Sequence, residues 1–228
     1  MTQLSRYTSF KESSVRSEQF ARRRLTRARL LDGVDALSAA DPDLAAVVTR
    51  FGPPPLWARR PGFATLVQIV LEQQVSLASG RATFGRLHDA WGEVTPERFA
   101  KLTTAQVRSA GVTRQKTSYC LGIARQIVDG TLDLRRLGRA DDHAARRRLV
   151  EIRGIGPWTA DIYLLMALGR PDIWPDGDLA LATAAQQVKR LRRRPDTERL
   201  RRLATSWAPW RAVAARILWH HYQSMRGG

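Results

Sequence analysis

Asp178 is an isolated acid about twenty residues beyond a Gly154-Ile155-Gly156 triplet, and the residue types at this spacing could do chemistry on a polyanion. A carboxylate can stabilise a developing positive charge or orient a water. A glycine-bracketed turn leading into Pro157 can present unpaired backbone N–H groups beside the positive end of a helix dipole, which is a seat for a phosphate oxygen. Asp178 also precedes LALATAAQQVKR, a helix-forming run, so its plainest structural role is an N-cap. The two roles are compatible, because a helix N-terminus suits a negative charge. Asp176, two residues earlier, is the rival acid.

The elements that must position these residues can be read from periodicity. Residues 143–152 have helical spacing, with Leu149 and Ile152 on one apolar stripe and arginines elsewhere. Gly154 and Gly156 bracket Ile155, so the chain is expected to turn at φ > 0 with Ile155 inward and no Cβ at either glycine blocking an approach. Pro157 suits the first position of the next helix, through residues 159–168. An ordinary αα-hairpin can carry the same G-x-G, so the triplet alone is not decisive. Further helical segments are expected over 18–38, 42–51, 64–91, 96–102, 104–110, 114–129, 142–152, 157–168, 179–193 and 197–225, with Gly, Pro and Asp punctuation between them. Thr95-Pro96 and Thr103 read as helix starts. No stretch alternates as a strand would, and neither a low-complexity linker nor an internal repeat is evident, so the fold class is all-α.

The motif L-x-x-I-x-G-I-G-x-x-T-A at 149–160, followed by the late acid, resembles the helix–hairpin–helix DNA glycosylase superfamily. LVQIVLEQQVSLAS (66–79), GVTRQKTSYCLGIA (111–124), WPDGDLAL (174–181) and WAPWRAVAARILW (207–219) each resemble its 3-methyladenine DNA glycosylase II (AlkA) type, in that family's order, over roughly residues 42–222. The resemblance implies two helical lobes around a cleft, a middle lobe at about 63–170 and a second from about 1–62 plus 171–228. The hairpin and Asp178 would sit at the cleft mouth. Residues 1–40 would be a basic extension or helix ahead of a glycosylase domain over 41–228. Fewer than 50 residues precede the first matching block, so the β-rich N-terminal domain of many relatives is not expected.

The resemblance also implies roles. Ile152, Arg153, Gly154, Ile155, Gly156 and Thr159 would bind double-stranded DNA containing a damaged base. Gln74, with Gln73 second, would be the wedge that fills the gap when that base flips out; the alternative is that both glutamines cap or bridge helices in the cleft. Trp158 and Trp219 fall on aromatic positions facing the family's base pocket, with Tyr163 and Trp57 as further candidates. Such walls favour a cationic alkylated purine through cation–π attraction. Asp178, directly before an apolar L-x-L, would be the catalytic acid ahead of Asp176. Lyase members carry a lysine just before the Thr-Ala pair, where this chain has Trp158, so no Schiff base is expected and the enzyme would be monofunctional. No cofactor is implied, although the carbonyls of Ile152 and Ile155 could hold a structural monovalent cation. A non-catalytic helix–hairpin–helix DNA-binding or damage-sensing protein is the competing class; it would need neither Asp178 nor the pocket tryptophans.

Composition bounds these readings. Lys and Arg number 38 against 21 Asp and Glu, a net charge of +17 that points to a polyanionic partner. All but four of the bases are Arg. Basic runs lie at 22–24, 146–148 and 192–194, and the one beside the hairpin is expected to face DNA. A single cysteine, Cys120, excludes an intramolecular disulfide and a four-cysteine iron–sulfur cluster, and in its LGIA context reads as a buried small hydrophobe. No His/Cys spacing suggests zinc, and no apolar run suffices to span a membrane. The first 30 residues, rich in Ser and Arg, raise a transit peptide, but Glu12 and Glu18 weigh against it. A monomeric bacterial cytoplasmic protein, associated with the nucleoid, is expected. Most of the seven tryptophans are core candidates, Trp207 and Trp210 among them. His220 and His221 point to different helix faces, which favours surface or capping roles.

Overall fold

The computed structural model describes residues 24–226. The expected N-terminal extension therefore lies largely outside the described residues, as does the start of the helix expected from 18. The helices are α1 (Arg27–Ala40), α2 (Pro42–Phe51), α3 (Phe63–Glu72), α4 (Leu77–Trp91), α5 (Pro96–Phe99), α6 (Thr104–Ser109), α7 (Arg114–Val128), α8 (Leu134–Arg139), α9 (Asp142–Val150), α10 (Pro157–Ile162), α11 (Leu179–Val188), α12 (Thr197–Thr205) and α13 (Arg211–Ser224). Among the described residues every regular element is helical, and no helix is long and apolar enough to cross a membrane.

Short polar side chains set most of the starts. Thr95 caps α5, and Thr103 forms a full capping box with Gln106 at α6. Asp41 caps α2 while Pro42 occupies its first turn. Helices α1, α2, α11, α12 and α13 pack against one another, and α3 through α10 form a second group. Each group has one helix with a run that is buried nearly all round. In α3, Phe63, Leu66, Val67, Ile69, Val70 and Leu71 are all buried; in α13 the run 212–219 is buried throughout. Such helices belong at the centre of a core, and the ends of both pass beside the cleft.

Three expected helices differ in ways that matter. The helix expected over 64–91 is broken at 73–76, where Gln74 adopts φ 56° and Ser76 opens α4 by accepting from the Ser79 N–H. The helix expected over 197–225 is two helices, divided at Pro209, which has no N–H to continue a ladder. The helix expected to 193 ends at Val188, with Arg190 at φ 52° just beyond. After α10 the chain widens into a π-turn, Tyr163–Ala167, closed by the Leu168 N–H to the Tyr163 carbonyl. That widening accompanies a change of partner for two carbonyls: Leu165 accepts from Arg216 Nη2, and Met166 from the Arg59 N–H. Arg216, buried, also donates to the Leu56 and Ala212 carbonyls. Burial pushes its guanidinium down to about 9, so it remains charged at neutral pH. One guanidinium thus ties the first group of helices to the second.

Candidate active site

The cleft beside Asp178 has a volume of about 2030 Å³. Small-molecule pockets run to roughly 1,000 Å³, so this one suits a segment of a macromolecule. Asp178 lies in its wall at the N-terminus of α11. Oδ1 accepts from the Leu181 N–H at 2.9 Å and from Trp219 Nε1 at 3.3 Å, while Oδ2 accepts from Trp158 Nε1 at 2.9 Å. Helix cap and candidate catalytic carboxylate are one group, and two tryptophans on different helices fix its orientation. Asp176 is placed differently. It accepts from Arg201 at 2.9 Å and stands 3.9 Å from Arg146 Nη2, outside the residues lining the cleft.

Trp57 also lines the cleft, at φ 46°, a conformation a bulky aromatic rarely adopts. Its neighbours hold it there: the Leu56 carbonyl is taken by Arg216, and the Arg59 N–H by Met166. Tyr163 requires correction. It is fully buried, its hydroxyl accepts from the Gly62 N–H at 3.0 Å, and burial pushes its phenol up to about 12. It supports the π-turn from inside and forms no part of the cleft wall.

The hairpin has the expected inward side chains: Leu149, Ile152 and Ile155 are buried, and the Ile155 N–H donates to the Ile152 carbonyl at 2.9 Å. Its two glycines do different jobs. Gly154 sits at φ 93°, and a Cβ there would fall 2.2 Å from the Tyr119 ring. Its missing side chain makes room for the protein, not for a ligand. Gly156 has φ −81°, and a Cβ there would meet nothing within 4 Å. Only Gly156 leaves open space, at the N-terminus of α10, which no side chain caps. Arg153 is exposed on the cleft side. Thr159 is buried with its hydroxyl accepting from Gln73 Nε2 at 2.9 Å, so its side chain is not offered to a ligand.

Gln73 is likewise turned inward, donating also to the Gly154 carbonyl at 2.9 Å, whereas Gln74 is exposed on the turn. Both wedge candidates line the cleft, but the Gln73 amide bridges two elements of the protein, whereas Gln74 is the exposed one. The break at 73–76 also exposes Val75 and Leu77 on the rim, and Leu179, 68 % exposed, stands beside Asp178. These residues were missed by the sequence reading, because an unbroken helix would have buried Val75 and Leu77. Lys116 and the Arg59–Glu72 ion pair, at 2.8 Å, also line the cleft unforeseen.

The basic run at 146–148 requires correction too. Arg146 is held by buried Asp161 at 2.6 Å, and Arg148 by Glu151 and the Thr131 carbonyl; Arg147 contacts His143. Burial raises the Asp161 carboxyl against the opposing pull of Arg146. The exposed cations of the cleft are instead Arg81, Arg114, Arg153 and Arg226. His220 meets the Phe51 carbonyl and His221 the Gln187 side chain, structural contacts away from Asp178. Among the described residues no three His, Cys, Asp or Glu side chains gather as metal ligands.

An all-α cleft lined by a glycine hairpin and, adjoining it through Trp158, an indole-clamped carboxylate defines a helix–hairpin–helix protein. The chain belongs to the HhH-GPD superfamily of base excision DNA repair proteins, which it matches over residues 67–209. It is 28 % identical over 184 residues to a putative DNA-3-methyladenine glycosylase of Bacillus subtilis, covering 77 % of this chain and 64 % of that protein. It is 34 % identical over 200 residues to a probable bifunctional transcriptional activator/DNA repair enzyme AlkA of Mycobacterium tuberculosis, covering 82 % of this chain and 38 % of the relative. The chain thus spans less than two thirds of the length of these curated relatives. The 3-methyladenine DNA glycosylase of Schizosaccharomyces pombe in complex with abasic DNA has the same fold, with a TM-score of 0.76 at 25 % identity, covering 82 % of this chain and 95 % of that one.

Proposed function

We propose that this protein is a monofunctional DNA glycosylase that flips alkylated purines, such as 3-methyladenine and 7-methylguanine, out of duplex DNA and hydrolyses their N-glycosidic bond. One observation carries the reading: a single carboxylate, Asp178, is clamped by Trp158, Trp219 and a backbone N–H in the wall of a cleft whose lip is the glycine hairpin. A protein that only grips backbone needs no oriented acid.

The chemistry follows from charge. A base inside the duplex is out of reach and must leave the stack. A methylated purine is already cationic, so the C1′–N bond breaks with its electron pair leaving on a neutral base, and no strong general acid is required. The sugar becomes oxocarbenium-like, and the fixed carboxylate stabilises that charge or orients the water whose oxygen adds to C1′ and whose proton is lost to the carboxylate or solvent. Trp158, Trp219 and Trp57 supply aromatic faces suited to a cationic ring. The open N-terminus of α10 at Gly156 suits a phosphate oxygen. The carbonyls of Ile152 and Ile155 lie in the same hairpin, and a monovalent cation held there would be structural. At the position where lyase members carry their amine the chain has Trp158, which supports hydrolysis alone. The proposed partner is double-stranded DNA, bound by a monomer.

The test is base release from methylated duplex DNA, with and without alkali afterwards. The reading expects free methylpurine and strand breaks only after alkali. Breaks without alkali would refute the monofunctional assignment; tight binding without release would leave a damage sensor.

A further inference from the structure

The turn that breaks the expected helix at 73–76 is tied into the protein by bonds that its own sequence does not explain. Helix α3 ends at Glu72, so its last carbonyls have no helical N–H to accept from. Lys116, reaching across from α7, donates to two carbonyls there, Leu71 and Gln73, each at 2.8 Å. The Gln73 side chain then points the other way and donates to the Gly154 carbonyl and the Thr159 hydroxyl, both at 2.9 Å. Four hydrogen bonds therefore run in one chain from α7, through the turn, to the hairpin and the first turn of α10. Glu72, immediately before the turn, is held in addition by Arg59 at 2.8 Å and by Gln68 at 3.2 Å. Gln74, between these anchors, stands exposed at φ 56°.

Hydrogen bonds made by an ammonium are roughly twice as strong as neutral ones, and this ammonium is partly withdrawn from water: burial lowers Lys116 from its usual value. A lysine in a cleft that receives DNA would ordinarily be left free to meet a phosphate. This one is committed to two carbonyls of the protein.

Resting on the glycosylase reading, we propose that Lys116 and Gln73 are positioning residues that lock the Gln74 turn to the hairpin, so that gripping the DNA backbone and filling the gap left by the flipped base are done by one rigid unit. The arrangement addresses a geometric problem. A plug is useful only if it enters the duplex at a set distance from the gripped phosphate, and a flexible turn would spend that alignment as entropy. With the brace in place, docking the hairpin aims Gln74, flanked by exposed Val75 and Leu77, at the stack.

The experiment compares wild type, Lys116→Met, Lys116→Arg and Gln73→Leu on two duplexes. One carries the alkylated base opposite its normal partner. The other carries it opposite an abasic-site analogue, where the helix is already open and no plug is needed. Base release, 2-aminopurine fluorescence beside the lesion and affinity for undamaged DNA across a salt series are read for each protein. Lys116→Met and Gln73→Leu are expected to slow release from the paired lesion at least tenfold and to lose the 2-aminopurine signal. Release from the open lesion should stay within about threefold, and Lys116→Arg should recover most of the paired activity. Parallel loss on both duplexes would mark a structural contribution only and overturn the proposal. Weaker binding to undamaged DNA with a shallower salt slope would make Lys116 a phosphate contact and overturn it as well. Unchanged release from the paired lesion would overturn it directly. A wild type that releases no base from either duplex would instead defeat the glycosylase reading beneath it.

Discussion

Replacing Asp178 by Asn keeps the shape of the side chain and removes its charge. The local fold should tolerate this, since Asn caps a helix about as well as Asp and can still accept from the Leu181 N–H. What it cannot do is accept at both ends. Trp158 and Trp219 donate to opposite oxygens, so the amide must present its NH₂ to one indole N–H. One lost bond costs about 1 kcal/mol, or roughly 2–4 °C in melting temperature for a chain of this size. The catalytic cost is larger. A carboxylate about 4 Å from a sugar carrying a full positive charge gains about 4 kcal/mol at an effective dielectric of about 20, and about 1 kcal/mol in bulk water. Asp178 is half-buried, so about 2–4 kcal/mol is expected, a loss of roughly 30- to 1,000-fold in the rate of base release. Affinity for undamaged DNA should hold or tighten, because a negative charge has been removed from a cleft facing phosphates. Single-turnover release from methylated duplex, beside a binding isotherm and a thermal melt, measures all three quantities. Release within threefold of wild type, with binding and melting intact, would remove Asp178 from the chemistry.

Gly156→Val should leave the melting temperature nearly unchanged, because a Cβ there meets nothing within 4 Å, yet weaken binding to undamaged DNA severalfold; a binding titration with normal affinity would remove the hairpin from the interface. Gly154→Ala should do the reverse first, destabilising the fold by about 2–3 kcal/mol in a denaturant melt through positive φ and collision with Tyr119. Trp158→Phe retains an aromatic wall but frees Asp178 Oδ2, so kcat should fall about tenfold with KM little changed; a KM effect alone would make Trp158 a wall only. Burial raises the Asp41 carboxyl, but bonds from Lys189, Trp207 and the Leu44 N–H outweigh it and hold Asp41 below its usual 3.8. Its stabilisation is therefore complete above that pH and lost as pH falls through the lower folded value. Urea melts from pH 5 to 2 should show wild type losing its advantage over Asp41→Asn across that window, and a constant difference would refute the linkage.

The parts of this site legible in the sequence are those whose signals are local. Asp178 before an apolar helix, Pro157 at a helix start, Leu149 and Ile152 on one apolar stripe and Ile155 turned inward between two glycines are each properties of a few consecutive residues, and the structure realises all of them. The errors have one common cause. The break after Glu72 has no Gly or Pro to announce it, and its carbonyls are met by Lys116, more than forty positions away. Gly154 looks like a clearing for a phosphate until Tyr119, from α7, is seen to fill it. Arg146 looks like a DNA contact until Asp161, buried fifteen residues on, claims it. Tyr163 looks like a pocket wall until the π-turn and the Gly62 N–H place it inside. Pro209 is the exception: it was a visible local signal for the division between α12 and α13, and periodicity on either side concealed it.

Most of the groups that carry the proposed chemistry lie at helix ends. Gln74 follows the end of α3, Gly156 precedes α10, and Asp178 caps α11. Helix ends are where backbone N–H and C=O groups lack intrahelical partners, so a cleft walled by ends offers phosphate seats, capping carboxylates and exposed turns without burying an unmet polar group. It also explains why the bracing is done by side chains from elsewhere. The carbonyls at the end of α3 need donors, and Lys116 supplies two bonds; the Asp178 carboxylate needs more donors than its own helix can offer, and two indoles supply them. The satisfaction of helix ends and the alignment of the site are thus the same set of hydrogen bonds. A substitution at Lys116 or Trp158 should accordingly disturb function more than stability, whereas a side chain added at Gly154, where it would collide with the Tyr119 ring, should disturb stability first.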